Sequence, residues 1–270
     1  MIRLILSLLL LMPVSALAQT VNAEPSMRIR LLPGVNGTEG LSSIPVGLQI
    51  ELAPGWYTYW RTPGDGGLAP QFDWSASANV KEVRVSWPAP KRYETEGLYS
   101  FGYDGHVILP LEVIPETPGQ AVTLSLKMQA VACNKICVPH NLSALLMVPG
   151  APAVMSGNQA ALEEAKRAVP LMDGAGRLEL DTAVLGMNAL VLSATGVQDW
   201  NKADVFVEMP ENNVLTARPT IAVDPNNPQQ ALISVRAPDT VQNLSSLLAG
   251  RKIKATLVDG LHSVEKEFSF

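Results

Sequence analysis

Cys133 and Cys137 are the only cysteines in the 270-residue chain, set in the run Ala132-Cys133-Asn134-Lys135-Ile136-Cys137-Val138-Pro139-His140. Two thiols this close can close as a structural disulfide, exchange reversibly with another disulfide, or ligate a soft metal. Four steps along an extended strand cover roughly 13 Å, whereas bridged Cα atoms lie within about 7 Å of one another. A bridge therefore requires the chain to turn back between them. As a staple it would be weak, since closing so short a loop restricts the unfolded chain by only about 2 kcal/mol. A structural bridge of the immunoglobulin kind would instead join strands dozens of residues apart. Lys135 between the cysteines and His140 beyond them are placed to favour a thiolate, although a lone lysine in a turn is equally at home as a solvated residue. The spacing leaves exchange, staple and metal ligation open.

The remaining side chains offer less. His106, His140 and His262 are the only histidines and lie far apart in the chain. Cys133, Cys137, His140, Met128 and Met147 form a conceivable soft set for Cu(I), against the commoner use of methionine as filler on a sandwich strand. Pro63-Gly64-Asp65-Gly66-Gly67 lacks the lysine and the strand-to-helix setting of a phosphate loop and reads as a turn. Trp56, Tyr57, Tyr59 and Trp60 are the densest aromatic cluster. They read as sandwich core and corner before they read as a stacking platform for sugar or peptide. No bound organic cofactor is suggested, and no metal ligand is assigned beyond that soft set.

The elements that must position the cysteines are strands. At 47% hydrophobic and 17% charged, the chain can bury one large core or two modest ones, which excludes a disordered class. Twenty glycines and 21 prolines fit many turns. The net charge of −5 and the lack of any Lys/Arg-rich run argue against nucleic acid as a partner. Apolar alternation predicts strands over 27–32, 44–52, 71–74, 80–87, 107–114, 121–133 and 142–148. The strand over 121–133 puts Val122, Leu124, Leu126, Met128 and Ala130 on one face, and the strands ending at Ala132 and starting near Leu142 would be the arms of the cysteine turn. A helix is expected over 158–169, stopped by Pro170. Seven short strands follow, over 178–180, 189–195, 203–209, 220–223, 231–236, 253–258 and 264–270, with Asp224-Pro225-Asn226-Asn227-Pro228 and Asp259-Gly260 as hairpin turns.

The expected fold is all-β, with two immunoglobulin-like β-sandwich domains joined by a short helical connector. Residues 19–150 would form the first sandwich with the cysteine pair, 151–170 the linker with its helix, and 171–270 the second sandwich. Residues 1–18 read as a cleavable signal peptide, with Arg3, the apolar run Leu4 to Met12 and Ala16-Leu17-Ala18 at the cleavage site. That apolar run is shorter than the about 20 residues of a membrane span, so the expectation is an exported, periplasmic chain without stable membrane insertion.

Three stretches, in this order along the chain, resemble the N-terminal periplasmic domain of the DsbD/ScsB thiol-disulfide interchange family. They are Leu52-Ala53-Pro54-Gly55-Trp56-Tyr57-Thr58-Tyr59-Trp60-Arg61-Thr62-Pro63-Gly64-Asp65-Gly66-Gly67; Trp87-Pro88-Ala89-Pro90 followed by Tyr103-Asp104-Gly105-His106-Val107-Ile108-Leu109-Pro110-Leu111; and the Cys133/Cys137 segment with Val138-Pro139 behind it. The resemblance spans about 28 to 148, and the ScsB branch, linked to copper tolerance, carries a tandem immunoglobulin-fold module. It implies that Cys133 and Cys137 are exchange cysteines, reduced by a membrane electron donor and passing electrons to an exported thioredoxin-fold partner. It also implies a shielding loop, here Tyr93-Glu94-Thr95-Glu96-Gly97-Leu98-Tyr99-Ser100-Phe101, in which Leu98, Tyr99 or Phe101 would cover the sulfurs unless those side chains belong to the core. The sequence as it stands, ending at Phe270, contains no membrane domain or thioredoxin-like domain, so a separate polypeptide is expected to supply reductant if the pair turns over. The readings weighed against exchange are a non-catalytic binding module with a structural disulfide and a Cu(I)-handling protein of copper tolerance.

Overall fold

The computed structural model describes residues 25–212 and 214–270, so the expected signal segment, 1–18, lies outside the described residues. Ten strands precede the first helix: β1 (Met27–Pro33), β2 (Ile44–Leu52), β3 (Tyr57–Gly64), β4 (Gln71–Asp73), β5 (Glu82–Val85), β6 (Lys91–Thr95), β7 (Leu98–Asp104), β8 (His106–Ile114), β9 (Val122–Cys133) and β10 (Cys137–Val148). They form one sheet in the order β1-β2-β8-β5 and another in the order β10-β9-β3-β7-β6, with β4 also paired to β9. All their pairings are antiparallel. Between the sheets lies a core built on Leu48, Ile50, Trp60, Leu109, Leu124, Leu126 and Met128. In β9 the even-numbered residues from Val122 to Ala132 are all buried. They face the core as the alternation predicts, because successive side chains in a strand point to opposite faces.

After α1 (Gln159–Arg167) come β11 (Leu171–Met172), β12 (Glu179–Leu185), β13 (Ala189–Thr195), β14 (Ala203–Glu208), β15 (Val214–Leu215), β16 (Thr220–Asp224), β17 (Asn227–Arg236), the short helix α2 (Leu244–Leu248), β18 (Lys252–Asp259) and β19 (His262–Ser269). Their sheets run β11-β19-β18-β14-β15 and β12-β13-β17-β16. A second core, with Leu180, Leu190, Leu192, Val205, Val207, Ile233 and Leu257, fills the space between them. The architecture is all-β, two immunoglobulin-like sandwiches in tandem.

Several elements differ from the sequence expectation or add to it. The expected connecting helix is present and packs closely: Leu162 and Ala165 bury against Leu32 and Ile108 of the first sandwich. A Cβ added to Gly47 would fall 2.5 Å from a Leu162 methyl, so the glycine makes room for the helix. The stretch expected as a shielding loop is a β-hairpin, β6 and β7, paired from Lys91↔Gly102 to Thr95↔Leu98. Its two turn residues, Glu96 and Gly97, have φ of 52° and 80°, the left-handed pair that a tight two-residue hairpin demands. The second arm of the cysteine turn begins at Cys137 itself instead of near Leu142. It includes Pro139, which is tolerated because β10 is the edge of its sheet.

Candidate functional site

Cys133 ends β9 and Cys137 begins β10, and the two face each other as the last register pair of the hairpin. Asn134, Lys135 and Ile136 make the turn, closed by the Asn134 N–H donating to the Ile136 carbonyl at 2.9 Å. Register therefore places the sulfurs: Cα atoms lie 4.0 Å apart and the cysteines are joined as a disulfide with S–S 2.05 Å. The two sulfurs have unequal surroundings, because Cys133 is 0% exposed whereas Cys137 is exposed at the sheet edge.

A row of tyrosines lies beside the pair. Tyr57 of β3 is the register partner of Cys133, and Tyr59, two residues on, projects from the same face. The Tyr59 hydroxyl lies 3.1 Å from the Cys133 sulfur and 3.8 Å from that of Cys137. Tyr57 meets Tyr59 edge-on at 5.7 Å and stacks flat on Tyr93 of β6, with centroids 4.4 Å apart. Burial, then the neighbouring Tyr57, pushes the Tyr59 phenol up to about 12, so it stays a protonated donor at neutral pH. Tyr93 is raised as well, first by burial and then by the Asp104 carboxylate. Its hydroxyl is buried without a hydrogen-bond partner of good geometry. Asp104 is itself tied to Lys91 at 2.6 Å.

The loop after β3 completes the enclosure. A Cβ on Gly67 would come within 2.4 Å of the Tyr59 ring, so only glycine lets the loop lie flat on that tyrosine. Asp65 holds the loop to β7: its N–H donates to the Tyr99 carbonyl at 2.9 Å, and its carboxylate accepts from the Tyr99 N–H at 2.8 Å.

Of the residues singled out in the sequence, the structure brings the two cysteines together and distributes the others. Lys135 is exposed in the turn. His140 is three residues beyond Cys137 on the strand, hence on the opposite face, and its Nε2 is 2.8 Å from the Ser26 hydroxyl. Leu98 is 55% exposed beside the β6–β7 turn. Tyr99 is half-buried, 5.7 Å from the Arg92 guanidinium. Phe101 is fully buried and meets Phe206 of the second sandwich edge-on at 4.9 Å, so it occupies a core position and not a cover over the sulfurs. Met128 is in the core, and Met147 is exposed near the far end of β10, so neither joins the cysteines in a soft-metal set. Among the described residues no group of three or more His, Cys, Asp or Glu is placed to hold a metal ion. Tyr57, Tyr59 and Tyr93 were not singled out as site residues. The available signal was the i, i+2 tyrosine pair in β3, which any strand assignment would have put on one face.

The fold and the hairpin define a class, an immunoglobulin-like sandwich carrying a disulfide at a strand edge. Residues 41–148, within the first sandwich, match the family model described as "Thiol:disulfide interchange protein DsbD, N-terminal". Residues 168–269 match a domain of unknown function, DUF8393. Among solved structures the chain is similar to the N-terminal periplasmic domain of ScsB from Proteus mirabilis, with TM-score 0.69, 21% identity, 90% of this chain covered and 91% of the other. A marsupial T cell receptor aligns over 92% of this chain and 99% of its own at 10% identity, but its TM-score of 0.24 carries no argument. No curated protein matches the chain. Among the described residues no helix is long and apolar enough to cross a membrane.

Proposed function

We propose that the protein is an exported, periplasmic thiol-disulfide exchange protein that relays electrons through Cys133 and Cys137 to a thioredoxin-fold partner. One observation carries the reading: the hairpin pairs an exposed cysteine with a buried one whose sulfur lies against a tyrosine hydroxyl. In the dithiol form the Cys137 thiolate attacks the partner's disulfide, forming a mixed disulfide and expelling one partner thiolate, which takes up a proton. The Cys133 thiolate, steadied by the Tyr59 O–H, then attacks the Cys137 sulfur. That closes the Cys133–Cys137 bond and releases the second partner thiolate, which is protonated in turn. Two electrons and two protons pass to the partner. A dithiol donor on the membrane side opens the bridge again by the same exchange. Support comes from the DsbD N-terminal family match to the first sandwich and from the similarity to a periplasmic ScsB domain.

Cysteine replacement tests it. Cys133→Ser leaves the exposed thiol without its resolving partner and is expected to accumulate a mixed disulfide with an oxidised thioredoxin-fold protein, seen as a reducible adduct by mass spectrometry; Cys137→Ser is expected to trap none. Failure of both variants to trap an adduct would overturn the proposal. So would a reduction potential for the pair below about −300 mV, the range of inert structural bridges.

A further inference from the structure

The second sandwich gives one strand face to the first. Along β14, Val205 and Val207 are fully buried in their own core, so Asp204, Phe206 and Glu208 point the other way. Each of these three meets a residue of the first sandwich. The Asp204 carboxylate takes the Arg92 guanidinium in a fork, with both bonds 2.9 Å. Phe206 meets Phe101 and stands 6.1 Å from Trp60. Glu208 accepts from Arg61 at 3.0 and 2.5 Å and also from the Thr62 hydroxyl. Arg92 donates further to the carbonyls of Val205, at 2.7 Å, and Thr216, and its side chain is only 2% exposed.

These anchors fall on the strands that carry the tyrosine row. Arg92 immediately precedes Tyr93 in β6, and Arg61 follows Tyr59 by two residues in β3. Phe101 belongs to β7, the strand between them. Among the described residues β6 is the outermost strand of its sheet, paired with β7. From this edge strand Tyr93 stacks on Tyr57, and Tyr57 is the register partner of Cys133. A guanidinium buried this deeply and paired through two parallel bonds holds one geometry, and losing its carboxylate partner leaves a charge uncompensated.

We infer that Arg92 and Asp204 are positioning residues for the cysteine pair: by locking β6 onto β14 they hold the Tyr57–Tyr93 stack in place, so that Cys133 is shielded and exchange is directed to Cys137. The second sandwich is then part of the cysteine site and not only a neighbour of it. This inference rests on the exchange reading, and its test needs no partner protein.

The test uses the whole chain carrying Cys137→Ser, so that Cys133 is the only thiol. Its alkylation by iodoacetamide is followed by mass spectrometry above the thiol pKa, where access alone sets the rate. Adding Asp204→Asn is expected to raise that rate between about twofold and thirtyfold, the usual range for a residue acting through a packed network. Leu192→Ala, which weakens the second core from β13 in the other sheet and touches neither anchor residue, is expected to leave it unchanged. If Asp204→Asn does not fold, Arg92→Lys carries the test, since it keeps the charge and gives up the fork. An unchanged alkylation rate, or an equal rise with Leu192→Ala, overturns the inference. Failure of both Cys133→Ser and Cys137→Ser to trap a partner would sink the exchange reading while leaving this rate readable.

Discussion

The Tyr59 hydroxyl sits 3.1 Å from the Cys133 sulfur, held there by a loop that can approach its ring only because residue 67 is glycine. A donor fixed against a buried sulfur favours the thiolate over the thiol, since the hydrogen bond strengthens when the acceptor gains charge. Losing a hydrogen bond to a charged group costs about 1.5–3 kcal/mol, which corresponds to between about one and two pKa units. Tyr59→Phe in a Cys137→Ser background is therefore expected to raise the Cys133 thiol pKa by that amount. The ultraviolet absorbance of the thiolate during a pH titration measures it, and superimposable curves would remove Tyr59 from this role.

Gly66 and Gly67 are adjacent but should respond oppositely to alanine. A Cβ at Gly67 would lie 2.4 Å from the Tyr59 ring and 2.5 Å from Pro63, whereas at Gly66 nothing lies within 4 Å. Gly67→Ala must displace Tyr59 or the loop and is expected to cost about 1–3 kcal/mol in urea unfolding. Gly66→Ala meets no obstruction and stiffens the unfolded chain, so its expected change is neutral to about 1 kcal/mol stabilising. Equal losses in the two variants would contradict the packing of this loop on Tyr59.

Much of this frame was legible from residue types. The alternation of Val122, Leu124, Leu126 and Met128 placed β9 and its core face. Ala189 to Thr195 emerged as β13 with the same bounds, and Asp259-Gly260 is the hairpin turn between β18 and β19. What escaped included β3, β6 and β7, together with the short elements β11, β15 and α2. β3 breaks its alternation with Thr58, Tyr59 and Trp60 buried in succession and a register shift after Tyr59. β6 and β7 look loop-like because Glu96-Gly97 is a turn signal in a polar stretch, and their apolar partners lie partly in the other sandwich. Phe101 is a core residue only because Phe206 reaches it. That contact joins residues 105 positions apart, and no local pattern records it. The Arg92–Asp204 fork is hidden for the same reason.

The raised tyrosines give stability a direction with pH. Burial lifts Tyr59 to about 12 from its ordinary value of 10.0, so between about pH 10 and 12 the native chain keeps a proton that the unfolded chain releases. The stability contributed by the protonated phenol is fully present below pH 10 and declines as pH rises through that window, by up to about 1.4 kcal/mol per pH unit for one such group. Tyr93 and Tyr103 are shifted the same way, chiefly by burial. Urea unfolding free energies at pH 9, 10 and 11 should thus fall more gently in Tyr59→Phe than in the parent chain. Parallel lines for the two proteins would refute the burial of this phenol.

The sandwiches should also unfold together, because a strand of the second carries a residue of the first core. Phe206 is 1% exposed and packs in the first core, although it is carried by a strand of the second sandwich. Arg61, held above its ordinary value by Glu208 and Glu265 despite the opposing effect of burial, adds a second tie, and the Arg92 fork a third. Opening either sandwich alone would strand buried charge and expose aromatic surface, so an intermediate with one sandwich folded lies well above the native state. Scanning calorimetry of the parent chain is expected to give one transition, with van't Hoff and calorimetric enthalpies in agreement. Phe206→Ala removes the shared ring at a cost of about 3–5 kcal/mol and should resolve that transition into two. Two separate transitions in the parent protein would mean that the contact through Phe206 does not couple the folds, and would remove the physical basis for the second sandwich bracing the first.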